Sequence, residues 1–108
     1  RPLYEHVIAK AQEWTTAGNC GLVIGATQPE YFAHVRSLAP AMPLLIPGVG
    51  AQGGSAEEAV KNGQDQRGAG VLINSSRGII FASDGEDFAA AARAAALELR
   101  DEMNLYRN

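Results

Sequence analysis

The chain has one cysteine, Cys20, in 108 residues. That excludes an internal disulfide framework and fits a reducing compartment, the cytoplasm. No cationic residue neighbours Cys20 in sequence, so it reads as a small buried residue rather than a nucleophile. No apolar run approaches the roughly 18 residues that a spanning helix needs, so no membrane is expected as partner. Basic residues are few and scattered: nine Lys and Arg against twelve Asp and Glu, for a net charge of -3. A nucleic-acid surface would be a basic stripe, and none is expected here. His, Cys, Asp and Glu nowhere take a metal-ligand spacing. The acidic residues fall on predicted helices and in loops, and Lys10 and Lys61 fall on helices. The chain therefore offers no acid–base pair at a strand end and no catalytic residue. It starts Arg1-Pro2, without Met or a charged-then-apolar leader, as expected of a fragment or a processed chain.

What is present is a folded α/β pattern: 46% hydrophobic, 19% charged, in the size range of one domain. Tyr4, Val7, Ile8, Ala11 and Trp14 recur at helical spacing and predict a helix over 3–14. Leu22-Val23-Ile24 is a short apolar run between glycines, as expected of a strand buried on both faces. Thr27 or Gln28 is placed to cap a second helix, with Pro29 in its first turn and Glu30 as capping-box partner. Phe32, Val35, Leu38 and Ala39 form its apolar face, and Pro40 and Pro43 end it. Leu44 to Ile46 is a second strand. Ser55 to Glu58 is a capping box opening a short helix that closes near Asn62-Gly63. Val71 to Ile73 is a third strand, followed by Ile79-Ile80-Phe81 as a strand continuation or a helical turn. Ser83 and Glu86 form another candidate capping box before a long alanine-rich helix, with Phe88, Ala92, Ala95, Leu99 and Met103 on one face. Alternating helices and strands with short connections predict a parallel sheet with right-handed crossovers. Three strands either form a small open sheet or belong to a barrel whose first part lies outside this chain.

Two loops carry the functional signal. Gly48-Val49-Gly50-Ala51-Gln52-Gly53-Gly54 can adopt the positive φ angles that turn backbone amides toward an anion, and Gln52 adds a side-chain donor. Read alone, it is equally a turn between strand and helix. Arg77 stands just past the third strand, beside Gly78, where a guanidinium can meet a phosphate with two parallel hydrogen bonds. Alternatively, Arg77 pairs with a surface carboxylate. Phosphates in barrels sit between the loops after the last two strands and a short extra helix, which is the arrangement these loops would make. Asn74, Ser75 and Ser76 are read as holding the second loop. Thr27 is read as a cap before a ligand contact, and His6 and His34 as solvated helix residues.

Gly-Leu-Val-Ile-Gly-Ala-Thr at 21–27, Pro-Gly-Val-Gly-Ala-Gln-Gly-Gly at 47–54 and Ile-Asn-Ser-Ser-Arg-Gly-Ile at 73–79 resemble the last three strand ends of orotidine 5'-phosphate decarboxylases, most closely the longer-chain bacterial branch. The resemblance is collinear over nearly the whole chain. It implies the C-terminal part of a (β/α)8 TIM barrel, strands six to eight with their helices, and residues 1–108 as the phosphate-binding end. It implies decarboxylation of a nucleoside monophosphate in pyrimidine synthesis, without cofactor or metal, in a homodimer. Gln52 and Arg77 would bind the substrate phosphate with backbone help from Gly53, Gly54 and Gly78. Pro47 would lie near the pyrimidine and its leaving carboxylate. The family's lysine and aspartate network belongs to earlier strands and has no counterpart here, so this chain needs the N-terminal part of the barrel as its partner and is inactive alone. Two other readings are a different phosphate-binding barrel, such as a ribulose-phosphate epimerase or an indole-forming synthase, and a non-catalytic module for a phosphorylated metabolite. The Gly-Ala-Thr and Asn-Ser-Ser-Arg-Gly motifs argue against the first, and the missing acid–base residues favour the second.

Overall fold

A computed structural model describes residues 1–50 and 54–108. Helix α1 spans Leu3–Trp14, strand β1 Leu22–Val23, α2 Phe32–Leu38, β2 Leu44–Ile46, α3 Ala56–Gly63, β3 Val71–Ile73, α4 Ser76–Ile79 and α5 Phe88–Leu105. The strands pair in parallel in the order β1-β2-β3. Leu22 lies opposite Leu44, and Leu44 opposite Val71. The βαβ alternation read from the sequence is thus the observed one.

Burial is one-sided: within this chain the strands, read as buried on both faces, are covered on one face and leave the other bare. Leu44 and Ile46 are completely buried and pack with Phe32, Val35, Ala39, Met42, Ala56 and Ala59 beneath the helices. The alternate residues form a row across the sheet, Val23 opposite Leu45 opposite Leu72. They are 69%, 40% and 56% exposed. Side chains alternate along a strand, so helices on one side hide only every second residue. Continuous apolar runs are the pattern of strands that need cover on both sides, and only one is supplied.

Local signals explain where the helices start and stop. The Ser55 hydroxyl accepts a hydrogen bond from the Glu58 amide at 3.3 Å, so the predicted N-cap of α3 is formed. The Thr27–Glu30 box is not formed: Pro29–Tyr31 makes a 3-10 turn that leads into α2, with no side-chain cap. Proline at the start of a helix lacks the amide that a cap would satisfy, and the tighter turn takes over the entry. Ser83 likewise does not cap α5 through Glu86; its hydroxyl meets Asp87 Oδ1 and accepts from the Gly85 amide at 3.1 Å. Residues 76–79 resolve the open question after β3 in favour of a helical turn.

A buried charge ties the amino ends of β2 and β3 together. Arg36 lies on the inner face of α2 and is 8% exposed. Its Nε donates to Gly63 O at 2.7 Å, Nη1 to Ala39 O and Met42 O at 3.0 and 2.6 Å, and Nη2 to Gly70 O at 3.1 Å. Each contact satisfies a carbonyl at a helix end or a turn. Asp65, also buried, organises the adjoining turn by accepting from the Arg67 and Ala69 amides at 2.9 and 3.1 Å.

Candidate functional site

The two loops emerge at the carboxyl ends of adjacent parallel strands and meet. Pro47, Gly48 and Val49 after β2, with Asn74, Ser75, Ser76 and Arg77 after β3, line one cavity of about 120 Å³. The Ser75 hydroxyl donates to Val49 O at 3.3 Å and joins the loops directly. This is the loop-holding role read for the serine cluster. Gly50 lies on the same contact, since a Cβ there would stand 3.6 Å from Ser75 Oγ.

Backbone geometry explains the glycines. Gly48 and Gly50 have φ of +93° and +84°, which L side chains rarely adopt. The Gly50 amide donates to Gly54 O at 3.0 Å and the Gly54 amide to Gly48 O at 3.1 Å. These two amides close the loop on itself. Gly54, expected to help hold a phosphate, thus directs its N–H into the loop. Its lack of a side chain matters for packing instead: a Cβ would lie 2.4 Å from the Ala26 Cβ and 2.6 Å from Gly48 O. Gly78 is needed in a similar way, because a Cβ there would stand 2.6 Å from Ser75 Oγ.

Arg77 lies in α4 and is exposed. It lines the small cavity together with Pro47, so these two expected site residues are brought to one place. Gln52 and Gly53 lie outside the described residues. Thr27 is exposed and forms no cap, and His34 meets Glu5 Oε1 at 3.1 Å on the surface.

Charge distinguishes the two sides of the joined loops. A second cavity, of about 310 Å³, lies against α5 and includes Gly50, Gly54, Ser75 and Gly78, but also Glu98 and Glu102. A dianion is repelled by two carboxylates and attracted by a guanidinium, so the Arg77 side is the one suited to phosphate. Among the described residues no group of three His, Cys, Asp or Glu is placed to hold a metal ion.

The buried Arg36–Asp65 cluster is the polar feature that sequence reasoning missed. Its signal is positional: Arg36 falls four residues after Phe32 and three before Ala39, on the apolar face. Desolvation lowers the Arg36 pKa from its ordinary value, while Asp65 opposes that shift. The Arg67 side chain, then the Ala69 amide, hold the Asp65 carboxyl below the usual carboxylate range. The cluster lies at the opposite ends of the strands from the loops and stabilises rather than binds.

No family model matches the chain. Relatives do. The chain is 58% identical over 97% of its length to the orotidine 5'-phosphate decarboxylase of Azoarcus sp. (strain BH72), and 53% identical over all of it to that of Ralstonia pickettii (strain 12J). It spans about two fifths of the length of these relatives, 39% and 40%. Among solved structures, Leishmania donovani UMP synthase superposes with a TM-score of 0.81 at 44% identity, over 99% of this chain and 23% of that one. Leishmania donovani OMP decarboxylase superposes with a TM-score of 0.75 at 39% identity, over 96% of this chain and 40% of that one. Whole-chain identity above one half, together with the shared course of three parallel strands and their helices, means that the chain belongs, as about two fifths of the length, to the orotidine 5'-phosphate decarboxylase family.

Proposed function

We propose that the chain is the phosphate-binding end of an orotidine 5'-phosphate decarboxylase barrel, strands six to eight, and that it works with the remaining strands to convert orotidine 5'-phosphate to uridine 5'-phosphate and CO2. The observation that carries the reading is the meeting of the two loops: Pro47–Val49 and Asn74–Arg77 line one cavity, joined by Ser75. Arg77 and Gln52 hold the phosphate through their side chains, and Gly53 and Gly78 through their backbone. Pro47 borders the ring and the carboxylate that departs.

The phosphate does not react. Its binding energy therefore offsets the cost of closing the site and of desolvating or distorting the ring whose carboxylate leaves. A defect at Gln52 or Arg77 then lowers turnover as well as binding. Loss of the C6 carboxylate leaves an electron pair on C6 that takes up a proton, and the groups that perform this step belong to the other strands. The bare row Val23, Leu45 and Leu72 supports such a partner, since these side chains lie on the face that faces inward once the sheet closes. The assembled enzyme works as a homodimer in the cytoplasm; sedimentation of the full-length protein tests the dimer, and cell fractionation tests the compartment.

The experiment is Arg77→Ala in the full-length enzyme, assayed with the natural substrate and with a substrate lacking phosphate. Losing a charge-assisted contact costs about 1.5–3 kcal/mol, or roughly ten- to a hundredfold in kcat/KM, for the natural substrate. The truncated substrate loses much less. An equal loss with both substrates would show that Arg77 acts elsewhere.

A further inference from the structure

Helix α5 forms a wall of the loop region and touches the core through the half-buried Leu99. None of its residues is buried, and Phe88 and Leu105 are 60% and 77% exposed. Yet Ala95, Glu98, Leu99 and Glu102 face Gly50, Gly54, Ser75 and Gly78 across the 310 Å³ cavity. With Leu99 only half-buried against the core, contacts beyond it also set the distance across that cavity.

A polar clasp occupies the far end of α5. Arg107 Nε donates to Gly68 O at 2.7 Å. Gln64 is used twice: its Nε2 donates to Tyr106 O at 3.4 Å, and its Oε1 accepts from the Asn108 amide at 3.1 Å. Lys61 Nζ stands 5.3 Å from the centre of the Tyr106 ring. The fit is close on the turn side, where a Cβ on Gly68, at φ +75°, would meet Asn108 O at 2.6 Å. Residues 106–108 are thereby fastened to the turn that Asp65 organises and that feeds β3.

We propose that Gln64 and Arg107 are positioning residues: they clasp α5 to the turn before β3 and so hold its inner face against the loops after β2 and β3. Helix α5 is rigid over 18 residues, and a helix fixed at one end transmits that placement along its length. The clasp bonds are partly exposed and individually weak. Opening them therefore frees the helix at low cost and leaves the buried core of α2, α3 and β2 intact. The inference does not depend on what the loops bind.

The test is hydrogen exchange on the full-length protein with Gln64→Ala, Arg107→Ala and the milder Arg107→Lys, which keeps one donor for Gly68 O. The two alanine variants are expected to raise exchange tenfold or more at 95–102 and also at 75–79, while 32–46 stays at the wild-type rate. Arg107→Lys should fall between wild type and Arg107→Ala. A rise confined to 103–108 would overturn the proposal, because the clasp would then hold only its own end. A uniform rise that includes 32–46 would overturn it too, since the residues would then be general stabilisers. If the alanine variants do not fold, Arg107→Lys alone decides by the same pattern.

Discussion

Arg36 is a cation placed where an apolar residue is expected, with all four of its hydrogen bonds made to backbone carbonyls. Arginine suits this position because its planar fork presents five donors in fixed directions, where lysine has three on one nitrogen. Arg36→Met keeps the apolar stem and leaves four carbonyls without this donor. A loss of about 2 kcal/mol or more is expected, since Gly70 O and Ala39 O keep the Leu44 and Met42 amides as donors while Gly63 O and Met42 O do not, and each unsatisfied buried acceptor costs about 1–3 kcal/mol. Urea denaturation of the full-length protein measures it, and a change below about 1 kcal/mol would mean that water replaces the guanidinium. Asp65 adds a pH dependence. Its folded pKa is depressed, so its contribution is complete above the unfolded value of about 3.9 and is lost as the pH falls through the folded value. The stability gap between wild type and Asp65→Asn should therefore be flat from neutral pH down to about 5 and shrink below about 4. A gap that instead changes between pH 6 and 8 would point to another titrating group.

At the level of elements, two capping signals of equal appearance in the sequence differ in the fold. Ser55 caps α3, while Thr27 is displaced from α2 by the 3-10 turn at Pro29–Tyr31. Ser55→Ala should thus cost about 1 kcal/mol, whereas Thr27→Ala should stay within about 0.5 kcal/mol. Thermal melts of both variants in the full-length protein check this, and equal costs would show that Thr27 has a role beyond capping. Helix α3 was legible in full because its cap, its apolar face and its closing glycine are local. The entry to α2 was not, because proline and a serine-like cap compete there and the sequence does not rank them. The site has the same division. Apolar runs and glycines marked both loops, but the Ser75–Val49 contact that joins them crosses 26 residues.

For the whole molecule, the sheet's bare face is the governing fact. Val23, Leu45 and Leu72 lie open, and among the described residues β1 and β3 each leave an unpaired edge. Open edges and apolar faces recruit other chains. The isolated 108-residue chain is expected to bind a hydrophobic dye, to exchange its strand amides quickly and to associate. A monomeric, cooperative unfolding transition with strong protection in all three strands would refute this. The order of helices and strands, the glycine loops and the placement of Arg77 past β3 were set locally, by apolar spacing, turn residues and chain direction. Those features give the parallel sheet and bring both loops to one end. Which face of the strands is covered, that the Gly54 amide turns inward, and that Arg36 replaces a core side chain depend on partners far away in sequence. Spacing along a chain fixes what a residue can face, but the depth of its burial and the acceptor it finds exist only once distant segments have packed.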